Sequence, residues 1–359
     1  MSQVARDLSF DLLRFPLAIV ILVVHVFSVT GIPTQYGTSH TQIFPVIQDF
    51  INAFVRGHSV PIFFFISGYV FFLGRDLTCS SYCKKLKTRF CTLFLPYMIW
   101  NAIALLMAIF VSINLNRELS INIQNVVSCF WSCDGEIIGL PNSLGLPING
   151  PTWFLRDLML VVIIAPLLNV LLKGNRGGFF MTILFVLYLC NNCGLDVMLP
   201  IPITSLFFFS FGAYISLNNG ICTIKKFGKL SIFLYIIFGT IYLLFDSEIP
   251  NNYLNLLKGV KIFVGIFVAY NLAHRLLKTG CCKVNTFLAS SSFFIYISHG
   301  IVYGPVLKLM FIIIQPETTF SMFIVYIMAC LLIIAVLLVV YYVIKRHIPS
   351  LALIITGGR

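Results

Sequence analysis

The chain alternates between long apolar stretches and short polar loops, a pattern that predicts a set of membrane-spanning helices. The ninth stretch is long and contains Gly300, Gly304 and Pro305, so a kink or break is predicted there. Ten spans are predicted, at about 10–31, 52–74, 90–113, 152–172, 179–193, 199–217, 230–246, 254–274, 286–314 and 320–344. The predicted fold class is an all-α polytopic membrane protein with about ten transmembrane helices.

The loops differ in charge between the two predicted sides of the membrane. Arg117 is the basic residue of one side, where it is accompanied by acidic residues such as Glu118, Asp134 and Glu136. The positive-inside rule assigns the other, basic side to the cytoplasm. Both termini are then predicted to be cytoplasmic. The basic side includes Arg75, Lys84, Lys85, Lys87, Arg89, Lys173, Arg176, Lys225, Lys226, Lys229, Arg275, Lys278, Lys283, Lys345 and Arg346.

Composition supports a membrane protein, because 59% of the residues are hydrophobic and 10% are charged, with a mean hydropathy of +0.98. The net charge of +12 is typical of nucleic-acid binders, but the basic residues lie in short loops between spans. We therefore expect membrane lipids and no nucleic acid as partners. No cleavable signal and no polar stretch long enough for a soluble core are evident. Residues 1–359 are predicted as one integral-membrane domain, in the inner (cytoplasmic) membrane if the source is a bacterium.

The cysteines predict little chemistry. Cys129 and Cys133 fall in the long predicted outer loop, where a disulfide is possible. Cys79 and Cys83 are predicted to face the reducing cytoplasm. Neither pair has a second pair or histidines at zinc spacing, so we expect no metal.

Ionisable residues inside the predicted spans are candidates for function, because a charge at membrane depth is costly. Asp11 and Arg14 lie one helical turn apart and can pair, as a plain salt bridge or beside an anionic ligand. His25 lies eleven residues after Arg14, about 16 Å along a helix. His299 lies at a similar predicted depth, so the two histidines could line one cavity or be packing residues.

Three further features have both a structural and a functional interpretation. Ser67-Gly68 among aromatic residues predicts close helix packing, or a slot beside a ligand. Arg156 and Asp157 predict an inward-facing pair or an interfacial one. Lys258 and Lys261 share a face near the outer end of the eighth span and are consistent with snorkelling to the interface.

The order of several segments resembles the acyltransferase 3 family of membrane O-acyltransferases, over essentially the whole chain. The segments are FDLLRFPLAIVILVVH (10–25), SVPIFFFISGYVFF (59–72), RFCTLFLPYMIW (89–100), PTWFLRDLMLVVIIAPLL (151–168), LFFFSFGAYI (206–215) and SSFFIYISHG (291–300). The resemblance implies transfer of an acyl group, usually acetyl, from cytoplasmic acyl-CoA to a hydroxyl of a sugar or similar acceptor. It implies that Arg14 and His25 are the essential pair. It also matches Ser67 to an SGY-like segment, and Tyr296 and His299 to an IYxxH segment.

The residues themselves are compatible with this chemistry. Acyl transfer to an alcohol needs a base, donors for the developing oxyanion and a site for the CoA phosphates. His25 is the best candidate base. Direct transfer is simpler than an acyl-enzyme on His25 or Ser67, and both routes stay open. Candidates on the acceptor side or for the oxyanion are Ser67, Arg156, Tyr296 and His299, with Asp11 as support; candidates for CoA binding are Arg14, Arg75, Lys85 and Arg89.

The predicted function is an acyl-CoA-dependent O-acyltransferase of a cell-envelope glycan or lipid-linked saccharide, with acyl-CoA as co-substrate and no bound cofactor. The alternative is a transporter or flippase of lipid-linked saccharides, whose charges would line a translocation path. The two halves of the chain show no convincing internal repeat of the kind common in transporters. A membrane sensor or scaffold would not explain Arg14, His25 and His299 together.

Overall fold

The computed structural model describes residues 7–29, 43–74, 77–138, 144–245 and 248–358. Within these ranges the regular structure is entirely helical, as the predicted all-α class requires. The helices are α1 (Leu8–Phe27), α2 (Ile43–Phe54), α3 (Ser59–Phe72), α4 (Cys79–Arg89), α5 (Leu95–Asn114), α6 (Ile123–Ser128), α7 (Trp153–Ile163), α8 (Ala165–Leu171), α9 (Gly174–Asn192), α10 (Ile203–Leu217), α11 (Ile221–Lys226), α12 (Gly228–Phe245), α13 (Asn251–Lys278), α14 (Thr286–Ile314), α15 (Thr319–His347) and α16 (Pro349–Thr356). A π-helical turn, Phe90–Phe94, joins α4 to α5.

Seven helical segments of the described residues are long and apolar enough to cross a membrane, and an eighth qualifies if α7 and α8 form one broken span. The protein is therefore a multi-pass membrane protein. Each of the ten predicted spans falls on a helix or helix pair. However, Ile203–Leu217 is shorter than a full crossing, and Gly174–Asn192 does not meet the same test of apolarity. Ten crossings thus stay a prediction.

The break in the chain lies in a different span from the one predicted. Residues 286–314 form one continuous helix, α14, with Pro305 inside it, so a break there is wrong, whereas a kink stays a prediction. The break instead separates α7 from α8, and the chain bends by 61° between these two helices. Pro166, at the start of α8, has no backbone N–H to continue the helix. A proline inside a transmembrane helix is tolerated where neighbouring groups satisfy the freed carbonyl.

The described residues divide into two compact units. The first comprises residues 7–28, 43–74, 77–83, 160–245 and 248–289 among those described. Its most extensive helix contact joins α3 and α10, and α13 packs against α1, α9 and α12. Gly68 of α3 lies against the carbonyl of Phe209, and Gly212 of α10 lies against the carbonyl of Phe65. Small residues let two backbones approach closely, so the packing interpretation of Gly68 is confirmed.

One lysine of the first unit lies where snorkelling is impossible. Lys261 of α13 is 0% exposed, and its ammonium donates to the carbonyl of Ala53 and lies 5.2 Å from the ring centroid of Tyr242. A buried charge needs such partners because it has lost its hydration. The interpretation of Lys261 as a snorkelling residue was therefore wrong.

The second unit comprises residues 29, 84–138, 144–159 and 290–358 among those described. In it α16 packs against α5 and α15. The indole of Trp100 donates to the carbonyl of Ile355 at 3.1 Å, which holds the C-terminal helix on α5. An apolar cluster around Cys129 and Cys133 packs on the middle of α5 through Leu105.

Candidate functional site

The start of α1 is fixed by a polar and aromatic cluster in the first unit. Asp7 caps the helix by accepting from the backbone N–H of Ser9 at 2.9 Å, and it also accepts from the Tyr270 hydroxyl at 2.7 Å. Phe10 packs on Tyr69 and Tyr270, with ring centroids 4.9 and 5.4 Å away. These contacts hold the first turn of α1 against α3 and α13.

Asp11 and Arg14 form the salt bridge that their spacing predicts. A guanidinium nitrogen of Arg14 lies 3.4 Å from a carboxylate oxygen of Asp11, one helical turn earlier. The Asp11 side chain is 11% exposed, whereas 27% of the Arg14 side chain is exposed. Arg14 is thus oriented by its neighbour and still reachable by a ligand.

His25 lies in the last two turns of α1 and is half-buried. Its Nδ1 lies 2.8 Å from the carbonyl oxygen of Ile21. Because a carbonyl can only accept, Nδ1 carries the hydrogen of that contact. In the neutral ring the lone pair is then on Nε2, so the backbone of α1 selects the tautomer that can take a proton at Nε2.

Ser67 lies half-buried on α3, beside Gly68 and the close crossing with α10. Helix α3 also packs against α1, so the SGY-like segment and the helix that carries Arg14 and His25 belong to one unit. Tyr69, the third residue of that segment, is the one that contacts Phe10.

The second unit holds the other predicted polar residues. Arg156 and Asp157 form an ion pair at 3.0 Å, and the Asp157 side chain is almost fully buried. Arg156 also donates to the carbonyl of Trp131 at 2.6 Å and lies 5.2 Å from the centroid of that indole ring. The pair therefore faces the protein and fixes one residue of the long predicted outer loop.

A network of buried amides joins α5, the segment before α7, and α14. Asn101 donates to the Thr152 hydroxyl at 3.0 Å and accepts from the backbone N–H of Asn149 at 3.1 Å. The Asn149 side chain donates to the carbonyl of Ile297 at 2.9 Å. A Cβ on Gly300 would lie 2.6 Å from the Asn149 side-chain oxygen, so glycine there permits the close approach.

The IYxxH segment lies on the α14 side of this network. The Tyr296 hydroxyl donates to the carbonyl of Pro151, and Nδ1 of His299 lies 2.6 Å from the carbonyl of Tyr296. His299 is 0% exposed, in contrast to His25. Its backbone contact selects the same tautomer as in His25, but its full burial fits a positioning residue better than a base that must reach substrate.

Comparison with known proteins agrees with the resemblance. A family model described as an acyltransferase domain, Acyl_transf_3, matches residues 7–342 of the chain. The chain belongs to the acyltransferase 3 family. This membership favours an acyltransferase over the transporter and scaffold alternatives.

A relative with sequence similarity to this chain is the succinoglycan biosynthesis protein ExoH of Rhizobium meliloti (strain 1021). The two sequences are 27% identical over 309 residues, which cover 84% of this chain and 79% of the relative. No solved structure matches the chain.

The predicted site residues of the acyltransferase are distributed over the two units. Asp11, Arg14, His25 and Ser67 belong to the first, and Arg156, Tyr296 and His299 belong to the second. Lys85 and Arg89 lie half-buried on α4, also in the second unit, whereas Arg75 lies outside the described residues. A shared CoA site, and a cavity lined by both histidines, therefore stay predictions.

Sequence reasoning missed the residues that support this site. Asp7 carried a detectable signal, since aspartate just before an apolar helix is a common N-cap. Asn101, within the apolar fifth helix, carried one as well, because buried amides at membrane depth are costly unless satisfied. Their partners Tyr270 and Asn149 gave no such signal, because they are distant in sequence.

Proposed function

We propose that this protein transfers an acyl group, most simply acetyl, from acyl-CoA to a hydroxyl group of a cell-envelope glycan or lipid-linked saccharide. The observation that carries the proposal is the contact of His25 Nδ1 with the Ile21 carbonyl, in a member of an acyltransferase family. That contact presents Nε2 as the basic nitrogen of a half-buried histidine. Arg14, eleven residues earlier on the same helix, supplies a cation held by Asp11.

The reaction that we propose is a direct transfer. His25 Nε2 takes the proton of the acceptor hydroxyl while the hydroxyl oxygen attacks the thioester carbonyl. The resulting tetrahedral oxyanion collapses to the ester, and the C–S bond breaks. The CoA sulfur leaves and takes the proton back from Nε2, so His25 ends neutral. Ser67, Arg156, Tyr296 and His299 are the candidates for donating to the oxyanion or lining the acceptor site.

The donor side is assigned to the guanidinium of Arg14, together with Lys85, Arg89 and Arg75. A planar guanidinium can contact a phosphate through two parallel hydrogen bonds, which suits the phosphates of CoA. Asp11 would keep the guanidinium of Arg14 oriented when no acyl-CoA is bound. No bound cofactor is needed in this scheme, since acyl-CoA is consumed as a co-substrate.

The orientation belongs to the same proposal. We place one domain of ten crossings in the inner membrane, with both termini and the basic loops in the cytoplasm. Acyl-CoA is made in the cytoplasm, whereas envelope glycans are completed outside it. Arg14 and His25, about 16 Å apart along α1, would then connect a donor site near one face with chemistry deeper in the membrane.

The glycan class of acceptor is supported by the relative ExoH, a succinoglycan biosynthesis protein, because succinoglycan is a polysaccharide. The second unit supplies the residues that we assign to acceptor recognition, namely the Arg156–Asp157 pair and Trp131. An arginine beside an exposed aromatic ring suits a sugar, which offers hydroxyl acceptors and an apolar face.

The test is turnover of purified protein in nanodiscs with radiolabelled acetyl-CoA and envelope oligosaccharide acceptors. We expect wild type to release CoA thiol and label the glycan. His25→Gln should bind acetyl-CoA normally but lose about 10²–10⁴-fold in rate, because base catalysis is lost. His347→Gln, at an exposed position in the last turn of α15, is the matched control and should leave the rate unchanged.

Two results would contradict the proposal in different ways. Wild-type rates in folded His25→Gln would remove His25 as the base. Failure of folded wild-type protein to bind any acyl-CoA would exclude acyl-CoA as the acyl donor.

A further inference from the structure

Two cysteine side chains of the second unit face each other at the end of α6. The Cys129 and Cys133 sulfurs lie 3.1 Å apart, and both residues are 0% exposed. A disulfide bond is about 2.05 Å long, so the sulfurs need to approach by about 1 Å more.

The backbone around both cysteines is held by the returning part of the same loop. The N–H of Cys133 donates to Leu146, and the carbonyls of Cys133 and Cys129 accept from Leu144 and Ile148, each at 2.8 Å. An apolar cluster that includes Leu105 covers the sulfurs. The two thiols are thus fixed beside each other by contacts that do not depend on a bond between them.

We propose that Cys129 and Cys133 form a disulfide that fixes the acceptor-side loop of this acyltransferase. The proposal rests on the orientation and acceptor assignment given under the proposed function. In that orientation the loop faces the outer compartment, which is oxidising, whereas thiols in the cytoplasm are kept reduced. Burial in the folded loop would then protect the bond from reduction.

Two of the three residues between the cysteines, Phe130 and Trp131, explain what such a bond would do. The carbonyl of Phe130 accepts from the Tyr97 hydroxyl, and the carbonyl of Trp131 accepts from Arg156. A bond from Cys129 to Cys133 would close a small ring around both carbonyls. It would therefore limit the positions of Trp131 and Arg156, to which we assign acceptor recognition.

The chemistry is thiol–disulfide exchange with a protein disulfide of an oxidoreductase while the loop folds. One of the two thiolates attacks the oxidant's disulfide and forms a mixed disulfide, which releases one thiol of the oxidant. The thiolate of the other cysteine, whose sulfur lies 3.1 Å from the first in the folded loop, then displaces the second sulfur of the oxidant. The two cysteines lose two electrons and two protons, and the oxidant becomes a dithiol.

The chain contains its own control for this chemistry. Cys79 and Cys83 have the same spacing on α4, but both are exposed and in a loop assigned to the cytoplasm. Trypsin separates the two pairs, since residues 118–156 and 76–84 each form one peptide with two cysteines. One digest therefore reports both pairs.

The experiment takes full-length protein from bacterial inner membranes, quenches it in acid, and alkylates it after denaturation without reductant. We expect peptide 118–156 to be unalkylated and two hydrogens lighter than its reduced form, and peptide 76–84 to carry two alkyl groups. Alkylation of both Cys129 and Cys133 without reductant would overturn the disulfide.

A membrane-impermeant maleimide, added to intact cells beforehand, reports the orientation separately. Labelling of Cys79 and Cys83 from outside would overturn the orientation as well as this proposal.

The functional consequence is tested with Cys129→Ser/Cys133→Ser against the control Cys79→Ser/Cys83→Ser. We expect the first variant to raise the KM for the glycan acceptor several-fold with acyl-CoA binding unchanged, and the control to match wild type. Wild type that is denatured, reduced and refolded in reductant should show the same rise in acceptor KM. The same treatment should not alter the acceptor KM of Cys129→Ser/Cys133→Ser. An acceptor KM that is the same with and without the bond would overturn the positioning role.

Discussion

Gly68 and Gly212 occupy reciprocal positions at the crossing of α3 and α10, each with its Cα against a backbone carbonyl of the other helix. A Cβ on either residue would overlap that carbonyl oxygen, of Phe209 or of Phe65. Backbone cannot move aside as a flexible side chain can. We expect Gly68→Ala and Gly212→Ala each to destabilise the folded state by at least about 1–3 kcal/mol, as overpacked cores do.

Thermal unfolding of the purified protein in detergent measures this effect. Gly304→Ala is the matched control, because a Cβ at Gly304, within α14, would meet nothing within 4 Å. Alanine there should be neutral or slightly stabilising, since glycine weakens a helix interior. Equal melting temperatures for the Gly68, Gly212 and Gly304 variants would contradict the close crossing.

Hydropathy located the helices of this protein but could not give their contacts. The apolar pattern of α1 and the spacing of Asp11 and Arg14 are local, and the structure agrees with both. The sequence predicts a kink or break around Gly300, Gly304 and Pro305, whereas the structure has its break at Pro166 and a continuous helix through Pro305. Hydropathy does not distinguish the two prolines, because the effect of a proline in a membrane helix depends on its neighbours.

The predicted site shows the same limit. The tautomer of His25 follows from a carbonyl four residues earlier, which a helix always places there. The contact of Asp7 with Tyr270 joins residues 263 positions apart. Sequence patterns give the position of a residue along its own helix but not which helix is its neighbour, so such pairs need a structure.

Binding of acyl-CoA should depend on the planar shape of the Arg14 guanidinium as well as on its charge. We expect Arg14→Lys to raise the KM for acyl-CoA about 10- to 100-fold with a smaller effect on kcat, because a charge-assisted hydrogen bond worth about 1.5–3 kcal/mol is lost. Arg346→Lys, at an exposed position whose guanidinium contacts Tyr342, is the control. An unchanged KM for acyl-CoA in Arg14→Lys would remove Arg14 from the donor site.

The buried carboxylate of Asp157 makes Arg156 important for stability. Arg156→Met leaves that carboxylate without its ion pair, which typically costs about 3–5 kcal/mol for a buried pair. We expect Arg156→Met/Asp157→Asn to recover part of the loss, because the second change removes the uncompensated charge. Melting temperatures of the single and double variants form the test. A double variant less stable than Arg156→Met would show that the carboxylate is not the source of the cost.

Asp7 predicts a dependence of stability on acid pH. Burial raises the pKa of Asp7, but the hydrogen bonds from Tyr270 and Ser9 offset it, and the pKa lies below its ordinary value of 3.8. A carboxyl with a lowered pKa in the folded state stabilises that state above the ordinary pKa, and the contribution is lost as the pH falls through the folded pKa.

Tyr270→Phe removes the strongest of those hydrogen bonds and should raise the pKa of Asp7 in the folded state. We therefore expect the variant to have a lower melting temperature than wild type at pH 7, with the difference shrinking as the pH falls below about 4. Asp7→Asn provides the control, because adding Tyr270→Phe to it should no longer produce a pH-dependent difference. A deficit in Tyr270→Phe that stays constant from pH 7 to pH 3 would show that the Tyr270 hydroxyl does not stabilise the protein through the charge of Asp7.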